Sequence, residues 1–323
     1  MRINNPEINF ENNTMTLTEP VSRRFKINLV ATVAILIATA SFAQLTSNTI
    51  VPAGVRIERA VEFLAPGRSQ KADLYFPTTT TAGQLRPAVV IIHGGGWSGG
   101  KRDAERELNI GTNLALHGYV AMSIDYALAS KTKATWPQNL YDCKTAVRWL
   151  RKNAERLQID PNRIGVIGGS AGGHLAAMIT LTTPADGLDP QEPYGELSCR
   201  VACGVDLYGI ADLPTYHDAS MLGKSFAEAP ELYRLASPVT YVRSNSPPLL
   251  IIHGTADTTV NLKQSEIFAD VLKKAGAPYE LMIIPGAEHS FDLQPKQRDL
   301  RPVVLGFFDR HLKPGLLPPN PKY

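Results

Sequence analysis

Short apolar runs alternate with longer stretches whose apolar residues lie three or four apart, from about residue 55 to the end of the chain. The short runs are rich in Val, Ile and Tyr and are bounded by Gly, Pro, Asn or Asp. They predict strands at Val55–Phe63, Ala72–Phe76, Ala88–His93, Val120–Tyr126, Ile164–Ile167, Ala202–Tyr208, Pro248–His253 and Glu280–Ile284. The longer stretches predict helices at Glu105–His117, Pro137–Leu157, Ala171–Leu181, Leu262–Ala275 and Arg298–His311. Eight strands alternating with helices describe an α/β fold, a mostly parallel sheet covered by helices on both faces. In such a sheet, binding and chemistry collect beyond the carboxyl ends of the strands. Residues 182–200 and 209–246 break the alternation, the second with one short helix at Ala229–Ala236. Both are long for plain connections and are expected to form a small lid or rim over that end of the sheet.

The chain before residue 55 lacks this rhythm. Arg23, Arg24 and Lys26 precede an apolar run from Leu29 to Ala40, and Ser41-Phe42-Ala43 then offers small residues ahead of Gln44. This order reads as a secretory signal peptide over residues 1–43, with Met15 as an alternative start because residues 1–14 are polar. The run is shorter than the ~20 apolar residues that span a bilayer, which places a retained anchor second. Residues 44–54 are read as a linker, 55–315 as one domain and 316–323 as a tail, in a protein exported to the periplasm or beyond.

Composition narrows the reading further. With 323 residues, 44% of them hydrophobic and 20% charged, the chain can bury a substantial core. A formal charge of +3 without a dense basic run gives no footprint for nucleic acid. Cys143, Cys199 and Cys203 cannot all pair with one another, so buried thiols are expected, with a disulfide at Cys199 left open. No His or Asp cluster accompanies them, and neither a metal nor a cofactor is expected.

The chemistry centres on Val166-Ile167-Gly168-Gly169-Ser170-Ala171-Gly172-Gly173-His174, where a G-x-S-x-G turn joins an apolar strand to an apolar helix. An abrupt strand-to-helix turn strains the serine backbone and leaves its hydroxyl exposed, which suits a nucleophile and requires tiny neighbours. Upstream, a strand runs into His93-Gly94-Gly95-Gly96-Trp97, whose glycines leave peptide N–H groups bare. Gly95 and Gly96, with Ala171 after the serine, are assigned to an oxyanion hole, each donor being worth roughly 3 kcal/mol in a transition state; His93 is read as pinning the turn. The same glycines also fit G-x-G-x-x-G with Asp125 ending the next strand, a dinucleotide pattern. That alternative leaves Ser170 unexplained and puts a bulky Trp97 after the second glycine.

A nucleophilic serine needs a base and an orienting carboxylate, which in this architecture follow in the order serine, acid, histidine. Asp257 lies just past a strand in His253-Gly254-Thr255-Ala256-Asp257, and His289 follows the last strand in Pro285-Gly286-Ala287-Glu288-His289. These are the expected acid and base, with Asp212 as the rival acid, His174 as the reserve base, and Glu288 read as a solvated neighbour. Tyr208, Tyr216, Tyr233 and Trp136 are candidates to stack on a ring-bearing substrate, weighed against simple packing.

With these motifs in view, the chain from Val55 onward resembles an α/β-hydrolase. H-G-G-G-W at His93, Asp125-Tyr126-Ala127-Leu128-Ala129 and G-G-S-A-G-G at Gly168 resemble the hormone-sensitive-lipase-like esterases. That group usually has an acid where this chain has Gly169, an Arg where it has Ala127, and its catalytic acid in a D-P-L-type motif. The H-G-T-A-D segment ending at Asp257 is instead similar to the H-G-x-x-D of secreted esterases related to the bifunctional feruloyl/acetyl-xylan group. The resemblance implies a secreted serine esterase acting on short acyl or hydroxycinnamoyl esters of plant polysaccharides, a small-molecule or polysaccharide ester being its only implied partner. The alternatives are a lipase-like carboxylesterase on medium-chain esters, a prolyl-oligopeptidase-type peptidase, which normally carries a propeller domain absent here, and a non-catalytic interaction module, which typically lacks one of the residues this chain retains.

Overall fold

The strand-forming runs pair into one sheet of eight strands, ordered β1-β2-β4-β3-β5-β6-β7-β8, in a computed structural model that describes residues 51–79 and 83–313. The leader over residues 1–43, most of the linker and the tail at 316–323 lie outside the described residues. The strands are β1 (Val55–Val61), β2 (Ala72–Pro77), β3 (Arg86–Ile92), β4 (Val120–Ile124), β5 (Ile159–Gly169), β6 (Cys203–Leu207), β7 (Leu249–Gly254) and β8 (Tyr279–Ile284). All neighbours from β4 through β8 pair in parallel, while β2 runs antiparallel to both β1 and β4. The helices are α1 (Glu105–Leu116), α2 (Gln138–Lys152), α3 (Ala154–Leu157), α4 (Ala171–Leu181), α5 (Leu213–Tyr216), α6 (Pro230–Leu235), α7 (Lys263–Ala275) and α8 (Arg301–Leu312). This is the α/β-hydrolase fold. Among the described residues, no helix is long and apolar enough to cross a membrane.

Alternation along the strands builds two cores. On β3, Ala88, Val90 and Ile92 face a core shared with α2, α4 and α7, while Val89 and Ile91 face one shared with α1 and α8. Both faces are therefore dry, which explains why this strand is apolar from Pro87 to its end. All three cysteines are buried free thiols, and burial pushes the Cys199 thiol up to about 11.

Element boundaries differ from expectation where the local sequence misleads. β5 begins five residues before its apolar stretch, because Ile159 pairs with Arg86 ahead of a register shift, and it takes in Asp160-Pro161-Asn162, residue types that favour turns. The expected single helix over 137–157 is broken at Asn153 into α2 and α3.

The expectation that residues 182–200 help cover the reactive end of the sheet is corrected. Helix α4 starts at that end and carries the chain some 16 Å along the sheet, at ~1.5 Å per residue. From there the segment is fastened to α2: Lys144 Nζ lies 2.5 Å from Asp189, Arg148 donates to the Pro190 carbonyl, and Arg151 donates to the carbonyls of Ser198 and Arg200. Residues 209–246 do reach the reactive end, through Ile210 and Tyr216.

Candidate active site

Ser170 sits between β5 and α4 with φ 57° and ψ −123°, a conformation that costs a non-glycine residue of order 1–3 kcal/mol and persists only where the surroundings enforce it. They do so here by close approach. The Ser170 amide donates to the Leu207 carbonyl at 2.9 Å, and helix α4 packs so tightly on β3 that a Cβ on Gly172 would lie 2.1 Å from the Ile92 carbonyl oxygen. The strained turn leaves the hydroxyl facing His289, whose Nε2 accepts its hydrogen bond at 3.0 Å. On the other side of the ring, His289 Nδ1–H donates to Asp257 Oδ2 at 2.7 Å. The chain order is serine, acid, histidine, and in space the histidine stands between the other two.

Asp257 is buried and heavily bonded. Its Oδ1 accepts from the amides of Thr259 (2.9 Å) and Val260 (2.8 Å), and its Oδ2 also lies 3.2 Å from His253 Nε2. Burial alone would raise this carboxyl, but the hydrogen bonds from His253, His289 and Val260 outweigh it and hold it well below the usual carboxylate range. It therefore stays ionised and keeps the Nδ1–H tautomer of His289 in place. Asp212, the rival acid, stands at the start of α5 with its backbone bonded to Gln264. Glu288 is exposed.

The turn after β3 supplies bare peptide groups. Gly95 has φ 109° and Gly96 φ 57°, and a Cβ on Gly95 would lie 2.4 Å from the Gly99 carbonyl oxygen, so the turn closes only with glycine there. Three anchors set its position: Tyr126 OH donates to the His93 carbonyl (3.0 Å), Ala129 N to the Trp97 carbonyl (2.8 Å) and Ser220 Oγ to the Gly96 carbonyl (2.6 Å). His93 stacks on Tyr126 with ring centroids 4.3 Å apart, and burial lowers its pKa, in line with a structural role. The Ala171 amide is the first of α4, one of those a helix leaves without an internal partner.

Gly95, Gly96, Ser170 and His289 line one cavity of about 580 Å³. Its lining is mixed. Trp97, Ile210 and Tyr216 contribute apolar surface to it, and Lys101, Glu105, Arg106, Ser290 and Asp292 contribute polar groups. Of the aromatic candidates, Tyr216 lines this cavity, whereas Tyr208 and Tyr233 are fully buried and offer no ring to a ligand. His174, the reserve base, is buried between two partners, accepting from Trp97 Nε1 at 3.2 Å through Nδ1 and donating to the Ala236 carbonyl at 2.8 Å through Nε2. Asp125, the acid of the dinucleotide alternative, is taken by Arg102 at 2.6 Å. Among the described residues no cluster of His, Cys, Asp and Glu could hold a metal ion.

Comparison with known proteins fits this geometry. The BD-FAE family model matches residues 72–272, the stretch that carries the glycine turn, Ser170 and Asp257. The chain belongs to the BD-FAE family. Esterase LipQ of Mycobacterium tuberculosis is 31% identical over 239 residues, covering 70% of this chain and 55% of that protein. The chain spans about half the length of the curated relatives it matches first. Among solved structures, a truncated carbohydrate esterase from gut microbiota superposes with a TM-score of 0.72 at 27% identity, covering 80% of this chain and 96% of that one. Thermogutta terrifontis esterase 2 phosphorylated by paraoxon gives 0.66 at 28% identity, over 83% and 97%.

Ser170, Asp257, His289 and the glycine turn, singled out in the sequence, meet in this site, whereas Arg106 was not singled out, Tyr208 was offered only as a stacking ring and His253 only as the start of the H-G-T-A-D segment. His253 carries a signal in hindsight, since it opens the segment that ends in Asp257 and its Nδ1 lies 2.7 Å from Ser265 Oγ. Arg106 lies in an ordinary charged stretch, and Tyr208 enters the site through its hydroxyl, bonded to Arg106 and the Phe291 carbonyl, rather than as a stacking ring.

Proposed function

We propose that this protein is an exported serine carboxylic-ester hydrolase that acts through an acyl-enzyme on short-chain acyl esters, acetyl or feruloyl esters of plant polysaccharides being its substrate class. The observation that carries the reading is the continuous hydrogen-bonded line from Ser170 through His289 to Asp257, opening into a cavity beside the bare peptides of Gly95 and Gly96.

The reaction follows from that line. His289 Nε2 takes the Ser170 proton as Oγ bonds to the ester carbonyl carbon, and the carbonyl oxygen becomes an oxyanion facing the amides of Gly95, Gly96 and Ala171. The carbon–oxygen bond to the alcohol then breaks, and His289 returns its proton to the departing oxygen. Water, deprotonated by the same nitrogen, attacks the acyl-enzyme and frees the acid and Ser170. Asp257 remains ionised throughout and stabilises the imidazolium that forms twice per turnover. The polar groups of the lining suit a hydroxyl-rich alcohol, and its apolar residues suit a short acyl or aromatic acyl group. The similarity to a carbohydrate esterase supports the substrate class, and the leader-like order of residues 1–43 supports export.

The test is hydrolysis of p-nitrophenyl acetate, butyrate and octanoate and of methyl ferulate by the chain from Gln44 onward, with Ser170→Ala alongside. Turnover favouring acetate or ferulate is expected, with a loss in Ser170→Ala of about 10⁶ if subtilisin is a guide. A preference for octanoate would move the reading to a lipase-like carboxylesterase, and turnover that survives in Ser170→Ala would end it.

A further inference from the structure

Arg106 and Tyr208 take no part in the reaction as written, yet both lie against its groups. Tyr208 directly follows β6, is wholly buried, and holds φ +45°, a left-handed backbone that an aromatic residue adopts only under constraint. The constraint is the bond from its amide to the Ile252 carbonyl at 2.7 Å, which aims the side chain beneath the loop that carries His289. There its ring meets the His289 imidazole edge-on, centroids 4.8 Å apart, and its hydroxyl donates to the Phe291 carbonyl at 2.6 Å. The same hydroxyl accepts from Arg106 Nη1 at 2.9 Å, and Arg106 is held from behind by the buried Glu107 carboxylate through Nε at 2.8 Å and through Nη2. Burial pushes the Tyr208 phenol up to about 12, so the hydroxyl keeps its proton for Phe291 at neutral pH.

A second observation ties this network to the nucleophile. A Cβ on Gly169, the residue before Ser170, would lie 2.7 Å from both Arg106 Nη1 and Tyr208 OH. One on Gly94 would lie 3.3 Å from Arg106 Nη2 and from Ser170 Cβ alike. The guanidinium and phenol fill the space that a side chain at 169 would need. This accounts for glycine at position 169. The need for such a brace is plain from the loop itself, since residues 285–300 between β8 and α8 contain no helix or strand.

We propose that Glu107, Arg106 and Tyr208 form a clamp that seats the His289 loop against the Ser170 turn, making Arg106 and Tyr208 positioning residues for the proton transfer between Ser170 and His289. The clamp rests on the reading of Ser170 and His289 given above.

Tyr208→Phe keeps the ring and deletes both hydrogen bonds. On p-nitrophenyl acetate it is expected to lower kcat roughly 10- to 100-fold while KM changes by less than about threefold, the signature of lost alignment rather than lost binding. Arg106→Lys, which restores one donor, is expected to keep more kcat than Arg106→Met. Gly169→Ala should also lose kcat, and the double variant Gly169→Ala/Tyr208→Phe should lose far less than the product of the two single losses, because the phenylalanine removes an atom that the methyl would strike. A kcat in Tyr208→Phe within about twofold of the parent, multiplicative losses in the double variant, or a fall in kcat matched by loss of folded protein in circular dichroism would each overturn the clamp while Ser170→Ala stays inactive. Turnover persisting in Ser170→Ala would instead remove the reading on which the clamp rests.

Discussion

Gly172 shows how much of the reactive centre is decided by single atoms that are missing. It stands two residues after Ser170, and a methyl there would meet the carbonyl oxygens of Ile92 at 2.1 Å and His93 at 2.6 Å. Both belong to backbone at the end of β3, which cannot swing away as a side chain would. Gly172→Ala is therefore expected to push α4 off β3, at a cost of about 1–3 kcal/mol as for other overpacked sites, and to separate Ser170 from the glycine turn. Urea unfolding together with acetate-ester turnover checks this, and a variant that kept both its stability and its activity would contradict the packing described. At this scale the sequence was legible wherever a role is written locally. Ser170, Asp257 and His289 each sit in a short motif just past a strand, so spacing and residue type suffice. Arg106 lies in an ordinary charged stretch and is joined to the site through Tyr208, 102 positions away, a contact that no local pattern announces.

Helix α2 illustrates what elements add. Its buried face includes Lys144, wholly inaccessible, and Arg148, nearly so, which is unexpected for a helix packed on a sheet. Their partners are Asp189 and the Pro190 carbonyl, and Arg151 on the same helix holds the carbonyls of Ser198 and Arg200, so this stretch is a strap along α2 rather than a cover for the cavity. Truncating Lys144 to Ala leaves the Asp189 carboxylate without its closest cation in a largely dry place, and breaking a buried pair in this way typically costs about 3–5 kcal/mol. Lys144→Ala is expected to lower the urea midpoint accordingly while leaving KM for p-nitrophenyl acetate unchanged in the folded protein, since neither Lys144 nor the strap lines the cavity. A raised KM with unchanged stability would return residues 182–200 to the rim. β2, β3, β4, β6 and β7 were readable as apolar runs because burial along nearly their whole length imposes the pattern. The strap was not, because its anchors are charged residues on a helix whose periodicity alone marks them as solvated.

At the scale of the whole molecule, two buried ionisable groups set opposite limits on stability. Burial lowers His174 from 6.5 to about 4, so between those values the unfolded chain binds a proton that the native protein refuses. Stability is therefore lost as pH falls from 6.5 toward 4, by roughly 3 kcal/mol in all. Asp206, in the middle of β6, behaves in the opposite sense. Burial, only partly offset by His253, raises it from 3.8 to about 7, and its Oδ1 has no hydrogen-bond partner. The native protein keeps this proton through a range in which the unfolded chain has released it. Its contribution is complete below 3.8 and is lost as pH rises through 7, by about 4 kcal/mol at most. Asp206→Asn removes the titration in nearly the same volume, between Gly173 and Gly209, where larger groups have no room. Relative to the parent, the variant should gain nothing at pH 4, gain progressively up to pH 7, and hold a constant advantage of a few kcal/mol above pH 8, while the loss on acidification from His174 remains in both. Urea unfolding across this range measures the difference directly. An advantage that did not vary with pH would mean that Asp206 carries the same charge in the folded and unfolded chains.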